Sequence, residues 1–193
     1  MKNTDTLPTI AFETQQAWEA WLAEHHADIP GIWLKLAKKG SGVASISYAE
    51  ALEGALCYGW IDGQKASFDG TYWLQKFTPR RSKSIWSKVN CDKVSALLAE
   101  DRMQPAGIRQ MELAQADGRW EAAYDSQSKI SIPPDFQSEL DKNQPASDFF
   151  STLNSVNRYA ILFRIQTARK PETRAARIQK FIEMLANGQK IYP

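Results

Sequence analysis

The stretch QKASFDGTYWLQKF, residues 64–77, contains the pattern that decides the fold of this chain. Two strand-like runs, Gln64–Phe68 and Thr71–Phe77, flank the pair Asp69-Gly70. An Asp-Gly pair between such runs is a strong hairpin signal, because the usual two-residue turn places both central residues at positive φ. Pro79 cannot donate a ladder hydrogen bond, so the second strand should end there. The pattern predicts an antiparallel hairpin.

Upstream of the hairpin, strand patterns alternate with helix patterns. Thr9–Phe12 and Ile32–Lys39 are predicted strands, the second because its apolar residues alternate. Gln15–His26 is a predicted helix, since its apolar residues recur at helical spacing. Ser47 and Glu50 have the spacing of a capping box, which satisfies free amides at the start of another helix.

Downstream of the hairpin, the signals are those of helices. Asn90 is predicted to cap one helix, and Pro105 to occupy the first turn of the next, which ends at Gly118. Beyond the linker-like stretch Ser126–Pro134, further prolines mark helix starts. In the last of these helices, residues 172–177 are spaced for pairing along the helix surface. They are Glu172, Arg174 and Arg177.

These elements predict an α+β fold. A small antiparallel sheet with a central hairpin packed by helices should occupy residues 1–128. An all-helical C-terminal region should follow over residues 133–193. The switch from strand signals to proline-marked helix signals is the basis for this division.

The composition excludes several protein classes. No apolar run approaches the ~20 residues that a membrane span needs, so no membrane insertion is expected. Met1–Asp5 lacks the apolar stretch of a secretory signal, and two cysteines do not form a disulfide framework. We therefore expect a cytoplasmic protein with reduced thiols. Cys57 is expected in the core, and Cys91 is expected to be open to solvent.

Sequence patterns for known catalytic chemistries are missing from this chain. There is no Gly-x-Ser-x-Gly elbow, and His25 and His26 are adjacent on a predicted helix, so they point about 100° apart. The histidines and cysteines lack the spacing of zinc ligands, and Gly59–Lys65 lacks the spacing of a phosphate loop. No cofactor or metal is expected, and a binding protein is favoured over an enzyme.

Charge alternates along the chain in four blocks. Residues 1–62, 63–94, 95–157 and 158–193 have net charges of −4, +5, −5 and +6. Opposite blocks could neutralise each other across the fold, which is one interpretation. The other is a basic face that binds an anion.

The predicted anion site follows the hairpin, where positive side chains and hydroxyl groups precede a helix. Guanidinium groups beside free helix-start amides bind anions well. Trp60 and Asp62 enter the hairpin and should lie near this turn. The candidate ligand-binding residues are Trp60, Asp62, Arg80, Arg81, Lys83, Ser84, Trp86 and Asn90.

Several alternatives remain open for these residues. The tryptophans could be core residues and the arginines could pair with acidic blocks. The favoured partner is an anionic small molecule or an acidic protein. The alternative is an enzyme that acts on a phosphorylated or carboxylated small molecule, with Asp62 as general acid or base. Nucleic-acid binding is disfavoured by the pI near 8.5 and by the acidic blocks.

Five stretches together resemble a known family. They are Gly59–Gly63, Thr78–Asn90, Met103–Gly107, Ala116–Trp120 and Glu172–Ile178. In this order they resemble the bacteriocin-protection, YdeI/OmpD-associated family of bacteria, over residues from about Tyr48 to Asn187. The resemblance implies a role in envelope stress or resistance to toxic peptides and an association with an outer-membrane porin. It implies no reaction and no catalytic residues.

Overall fold

The computed structural model describes residues 7–193. Met1–Asp5, considered above for a secretory signal, lie outside the described residues. The strands are β1 (Thr9–Ala11), β2 (Ile32–Ala37), β3 (Trp60–Ser67) and β4 (Tyr72–Pro79). The helices are α1 (Gln15–His25), α2 (Tyr48–Cys57), α3 (Lys88–Ala99), α4 (Pro105–Ala116), α5 (Pro134–Asp141), α6 (Gln144–Thr152), α7 (Ser155–Gln166) and α8 (Pro171–Ala186). The predicted α+β class is confirmed.

The described chain divides into two compact units. The first unit comprises residues 7–85 and 90–121, and the second comprises residues 86–89 and 122–193. All four strands belong to the first unit, and α5 to α8 belong to the second. In residues 7–193, no helix combines the length and apolar composition needed to cross a membrane.

The sheet has the strand order β1-β2-β4-β3 and is mixed. β4 pairs antiparallel with both neighbours, whereas β1 pairs parallel to β2 with Ile10 opposite Leu34. The parallel edge differs from the predicted antiparallel sheet. The two strands run parallel because α1 connects them. This helix returns the chain, so that β2 starts at the same end of the sheet as β1.

The predicted hairpin is confirmed, with Ser67 opposite Trp73. Its turn is of another kind, because neither residue of the Asp-Gly pair has a positive φ. The Asp69 carboxylate instead accepts hydrogen bonds from the backbone N–H groups of Thr71 and Tyr72, at 2.8 and 2.7 Å. An aspartate side chain that bonds to the backbone a few residues ahead stabilises a turn without positive φ.

The core of the first unit is aromatic. Trp18 of α1 is fully buried, and its ring centroid lies 5.9 Å from that of Phe77 and 6.5 Å from that of Trp60. Its indole N–H donates to the carbonyl of Ala51 in α2 at 3.0 Å. A buried indole requires such an acceptor, so this hydrogen bond fixes α1 against α2 while both helices cover one face of the sheet.

Of the helix starts predicted at Ser47, Asn90 and Pro105, two are confirmed and one is wrong. The later prolines predicted to mark helix starts lie in the first turns of α5, α6 and α8, so these predictions are confirmed too. Ser47 and Glu50 form the complete capping box of α2, and Pro105 lies in the first turn of α4. Asn90 does not cap α3, which already begins at Lys88. The backbone just before Asn90 pairs with Tyr124, because Lys88 N–H donates to the Tyr124 carbonyl at 2.9 Å. The helix therefore starts directly after this paired segment.

The second unit has an apolar core of its own. Side chains from α5 to α8 form it, including Phe136, Phe150, Ile161, Phe181 and Leu185. Arg174 does not pair along its own helix as predicted. Its guanidinium contacts both carboxylate oxygens of Asp135 in α5, at 2.6 and 2.8 Å, and donates to the carbonyl of Ile165 in α7 at 2.9 Å. Arg177 likewise donates to the backbone carbonyl of Arg164.

Candidate functional site

Arg80 begins the predicted basic stretch and is buried. β4 ends at Pro79, and the next N–H, that of Arg80, donates to the carbonyl of Gly59 at 3.0 Å. The Arg80 side chain is only 6% exposed, and its Nη1 donates to the carbonyl of Ile85 at 3.3 Å. The strand end therefore directs this guanidinium inward.

The following residues form a turn that places their charges in solvent. Arg81 N–H donates to the Ser84 hydroxyl, and Ser84 N–H donates back to the Arg81 carbonyl, both at 2.9 Å. Arg119 donates to the Ser84 carbonyl at 3.0 Å. Arg81 and Lys83 are exposed. The hydroxyl of Ser84 thus stabilises the turn.

Trp60 and Asp62 lie on β3 and have separate environments. Trp60 is 1% exposed, and its indole N–H donates to the carbonyl of His26 at 3.0 Å. The carboxylate of Asp62 accepts a hydrogen bond from the hydroxyl of Tyr48 at 2.8 Å. The remaining two predicted residues, Trp86 and Asn90, are both buried.

Trp60 and Arg80 line one cleft in the first unit, together with residues that the sequence did not indicate. The cleft has a volume of about 380 Å³. Its lining comprises His26, Ala27, Tyr58, Gly59, Trp60, Pro79, Arg80, Pro105, Ala106, Arg109 and Gln110. Asp62, Arg81, Lys83, Ser84, Trp86 and Asn90 are not among them.

The charges that line this cleft are of one sign. The lining includes Arg80 and Arg109, and no Asp or Glu is present among the described lining residues. The N-terminus of α4 adds the partial positive charge of its backbone, and its cap residue Gln104 makes no side-chain capping hydrogen bond. Arginines beside a helix start favour an anion over a cation in this cleft.

The aromatic and polar groups of the cleft can add hydrogen bonds. Burial, followed by the nearby carboxylate of Glu19, raises the pKa of Tyr58, and its protonated hydroxyl can donate a hydrogen bond. His26 Nδ1 donates to the carbonyl of Leu22 at 2.9 Å. In the neutral ring Nε2 is then an acceptor, and in the protonated ring it becomes a second donor.

The two sides of the cleft are held together by close backbone packing. Gly59 follows α2 with a φ of +74°, and a Cβ at this position would lie 2.9 Å from the carbonyl oxygen of Ala106 in α4. Gln104 N–H donates to the carbonyl of Cys57 at 3.1 Å. Glycine is therefore required where the end of α2 meets the start of α4.

Sequence reasoning missed Arg109, and its spacing from Pro105 is the one local signal for this residue. Pro105 marks the first turn of α4, and Arg109 follows four residues later, so both lie on the same helix face. Tyr58 and His26 give no such signal, because only the packing of α1 and α2 against the sheet brings them to the cleft.

The residue predicted for catalysis lies outside the cleft. Asp62, the candidate general acid or base, is bonded to Tyr48 and does not line the cleft. The described residues contain no group of three or more His, Cys, Asp or Glu side chains arranged for a metal ion.

Clefts in the second unit have a different character. One, of about 310 Å³, is lined by Asp135 and Arg174, which already pair with each other. Another, of about 420 Å³, is lined mainly by apolar side chains together with Arg158. The lining of the first-unit cleft includes two arginines and no carboxylate, and we therefore treat it as the candidate site.

Two family models match separate parts of the chain. The model described as a domain of unknown function (DUF8412) matches residues 10–110, which contain the cleft. The model described as Bacteriocin-protection, YdeI or OmpD-Associated matches residues 129–188. The second match confirms the predicted family resemblance, but over part of the chain that includes Glu172–Ile178 and not Thr78–Asn90. No curated protein and no solved structure matches.

Proposed function

We propose that this chain, which belongs to the DUF8412 family, binds a small ligand with a phosphate or carboxylate group in the cleft of its first unit. The description of that family gives no activity. The YdeI-type match of residues 129–188 names bacteriocin protection, and we propose that ligand binding serves this role in the bacterial cytoplasm. The ligand is bound and released, without a chemical step.

The observation that supports this proposal is that two arginines, Arg80 and Arg109, line a cleft with no lining carboxylate. Arg80 is held by the backbone contacts that follow β4, so its position costs little further ordering when a ligand binds. Arg109 is exposed and can turn toward the ligand. Hydrogen bonds to charged groups contribute about 1.5–3 kcal/mol each.

The size and lining of the cleft narrow the ligand class. A volume of about 380 Å³ is close to the lower end of the range for small-molecule sites. The lining also includes Tyr58 and Trp60, beside Pro79 and Pro105. These features favour a compact metabolite with one anionic group and one flat apolar part.

The test is a thermal-shift screen of the full chain against phosphorylated and carboxylated metabolites, followed by calorimetric titration of each hit. A ligand that binds only the native state raises the melting temperature. Arg109→Gln should weaken binding by about 10- to 100-fold, which corresponds to one lost charged hydrogen bond.

Arg81→Gln is the matched control, because it removes an equally exposed guanidinium outside the cleft. It should leave the affinity within about twofold of the wild-type value. The proposal is wrong if no anion in the screen stabilises the protein, or if both variants weaken binding equally.

A further inference from the structure

The face of the sheet that points away from the aromatic core contains lysines and aromatic residues. Residues of β2 alternate, with Ile32, Leu34 and Leu36 buried and the intervening residues half-buried. Trp33 and Lys35 are opposite Lys76 and Leu74 of β4, so they share the other face. We define the outer sheet face as Trp33, Lys35, Ala37, Tyr72, Leu74 and Lys76, together with the adjacent Phe68.

Lysines and aromatic rings contact one another across this outer sheet face. Lys35 Nζ lies 4.5 Å from the ring centroid of Phe68 and 5.4 Å from that of Tyr72. Lys76 Nζ lies 5.8 Å from the ring centroid of Trp33. The Phe68 side chain is 47% exposed. Exposed cation–π contacts contribute only about 0.5–1 kcal/mol, so a ligand can replace these lysines above the rings.

Carboxylates are missing from the outward positions of the strands. The one acidic residue on the four strands is Asp62, which is opposite Phe77 and therefore on the core side. Asp69 lies in the hairpin turn beside the face, where its carboxylate accepts hydrogen bonds from Thr71 and Tyr72 N–H. The outer sheet face thus presents positive charge and aromatic rings without a strand carboxylate.

We propose that the outer sheet face binds single-stranded nucleic acid. Bases stack on aromatic side chains in such sites, while lysines neutralise the phosphates. A single strand is favoured over a duplex, because the bases must reach Trp33 and Tyr72 on a half-buried surface. A polyanion without bases would use the lysines and leave the rings without a partner.

From the sequence, nucleic-acid binding was disfavoured because the charge of the whole chain was considered, and not the charge of one face of the sheet. The acidic blocks at residues 1–62 and 95–157 lower the net charge of the whole chain. Net charge averages over every surface, whereas binding depends on the residues of one face. In β2 and β4, alternation separates the lysines of the outer sheet face from the apolar core positions.

The experiment is fluorescence anisotropy of a labelled oligothymidylate of about 12 nucleotides, titrated with the full chain at about 50 mM salt. The paired probe is an abasic oligonucleotide of the same length, which keeps the phosphates and removes the bases. We expect the abasic strand to bind at least about fivefold more weakly, since stacking is lost.

Variants separate stacking from charge. Trp33→Thr places a β-branched residue, which suits a strand, in β2 and should weaken oligothymidylate binding by about fivefold or more, while Trp33→Phe should keep most of the binding. Lys35→Glu with Lys76→Glu should weaken binding by about tenfold or more and reduce its salt dependence.

The matched control for charge is Lys180→Glu with Lys190→Glu, which makes the same charge change at exposed positions of the second unit. It should change the affinity by less than about twofold. The proposal is overturned if oligothymidylate does not bind, if the abasic strand binds equally well, or if the control pair is equally damaging. Arg109→Gln should not alter oligothymidylate binding, so this test is separate from that of the cleft.

Discussion

At Gly107, the absence of a side chain decides how closely α4 approaches the end of α2. A Cβ at this position would lie 2.2 Å from the carbonyl oxygen of Cys57 and 2.7 Å from that of Leu56. Both atoms belong to the backbone and cannot turn away. Because Gly59 and Arg109 line the cleft from these same two segments, the close approach also determines the geometry of the site.

Gly107→Ala should therefore destabilise the protein, although alanine favours a helix over glycine by about 1 kcal/mol. Forced separation of packed backbones costs about 1–3 kcal/mol. After the gain in helix propensity is subtracted, we expect a net loss of up to about 2 kcal/mol in urea unfolding. Gly70→Ala is the control, because no atom lies within 4 Å of its Cβ position and its φ is not positive. A Gly107→Ala protein as stable as the wild type would contradict the close approach.

The burial of the two cysteine thiols is a second feature at the scale of single residues. Cys57 and Cys91 are both buried and unbridged, which corrects the expectation that Cys91 is open to solvent. Burial is the largest cause that raises their pKa values from the ordinary 9.0 to about 11. The folded chain thus keeps both thiols protonated at pH values where the unfolded chain releases their protons.

This difference predicts a loss of stability in alkali. Since the unfolded state binds fewer protons than the folded state between about pH 9 and pH 11, the free energy of unfolding falls as pH rises through that range. The effect is on the order of 2 kcal/mol per thiol. Urea unfolding at several pH values should show a steeper decline for the wild type than for Cys57→Ala with Cys91→Ala. Equal slopes would show that the thiols do not contribute.

At the scale of secondary-structure elements, one arginine connects three helices of the second unit. Arg174 in α8 contacts Asp135 at the start of α5 and the last turn of α7. The hydrogen bond from Arg174 is the largest cause that lowers the pKa of Asp135. Because this pKa is lowered, the pair stabilises the fold above the ordinary pKa of Asp, and the contribution is lost as pH falls through the folded value.

A double-mutant cycle with Asp135→Asn and Arg174→Gln should give a coupling energy of about 0.5–1 kcal/mol at pH 7, since both groups are partly exposed. The coupling should be lost as the pH falls through the lowered pKa of Asp135. The control cycle uses Glu139 and Lys142, a pair three residues apart at the end of α5, which should couple more weakly. A coupling that persists in acid would assign the effect to packing rather than charge.

Elements with local signals were predictable from the sequence. The capping box at Ser47 and the proline at the start of α4 act within one helical turn, and the structure confirms both. The hairpin was predicted with the wrong turn, since the Asp69 side chain rather than positive φ stabilises it. The prediction that Asn90 caps α3 was wrong, because the backbone just before it pairs with Tyr124 and α3 starts earlier. Tyr124 is more than 30 residues away in the sequence, so no local pattern shows this pairing.

The site was less predictable, because it depends on contacts between distant segments. Trp60 and Arg80 adjoin strand ends, and both line the cleft. Arg81 and Lys83 belong to the same basic run, but the turn closed by Ser84 places them in solvent. Arg109 joins the cleft only because glycines let α4 approach α2, and no local pattern reports that approach.

At the scale of the whole molecule, each unit has its own apolar core. The core of the second unit contains Phe136, which is fully buried and packs edge-to-face on Phe150 with ring centroids 5.5 Å apart. The core of the first unit contains Leu34 and Trp18. The division into domains of residues 1–128 and 133–193 stays a prediction, and selective damage to one core can test it.

Phe136→Ala should remove about 3–5 kcal/mol of stability, because it leaves a cavity in a packed core. If the units unfold separately, amide exchange should accelerate at Ile161 and Ile165 while the amide of Leu36 remains protected. The reciprocal variant Leu34→Ala should accelerate exchange at Leu36 and leave the Ile161 amide protected. Anion binding in the first-unit cleft should then survive Phe136→Ala and weaken in Leu34→Ala. Equal loss of protection in both units from either variant would mean that the chain unfolds as one cooperative domain, and the predicted division would be wrong.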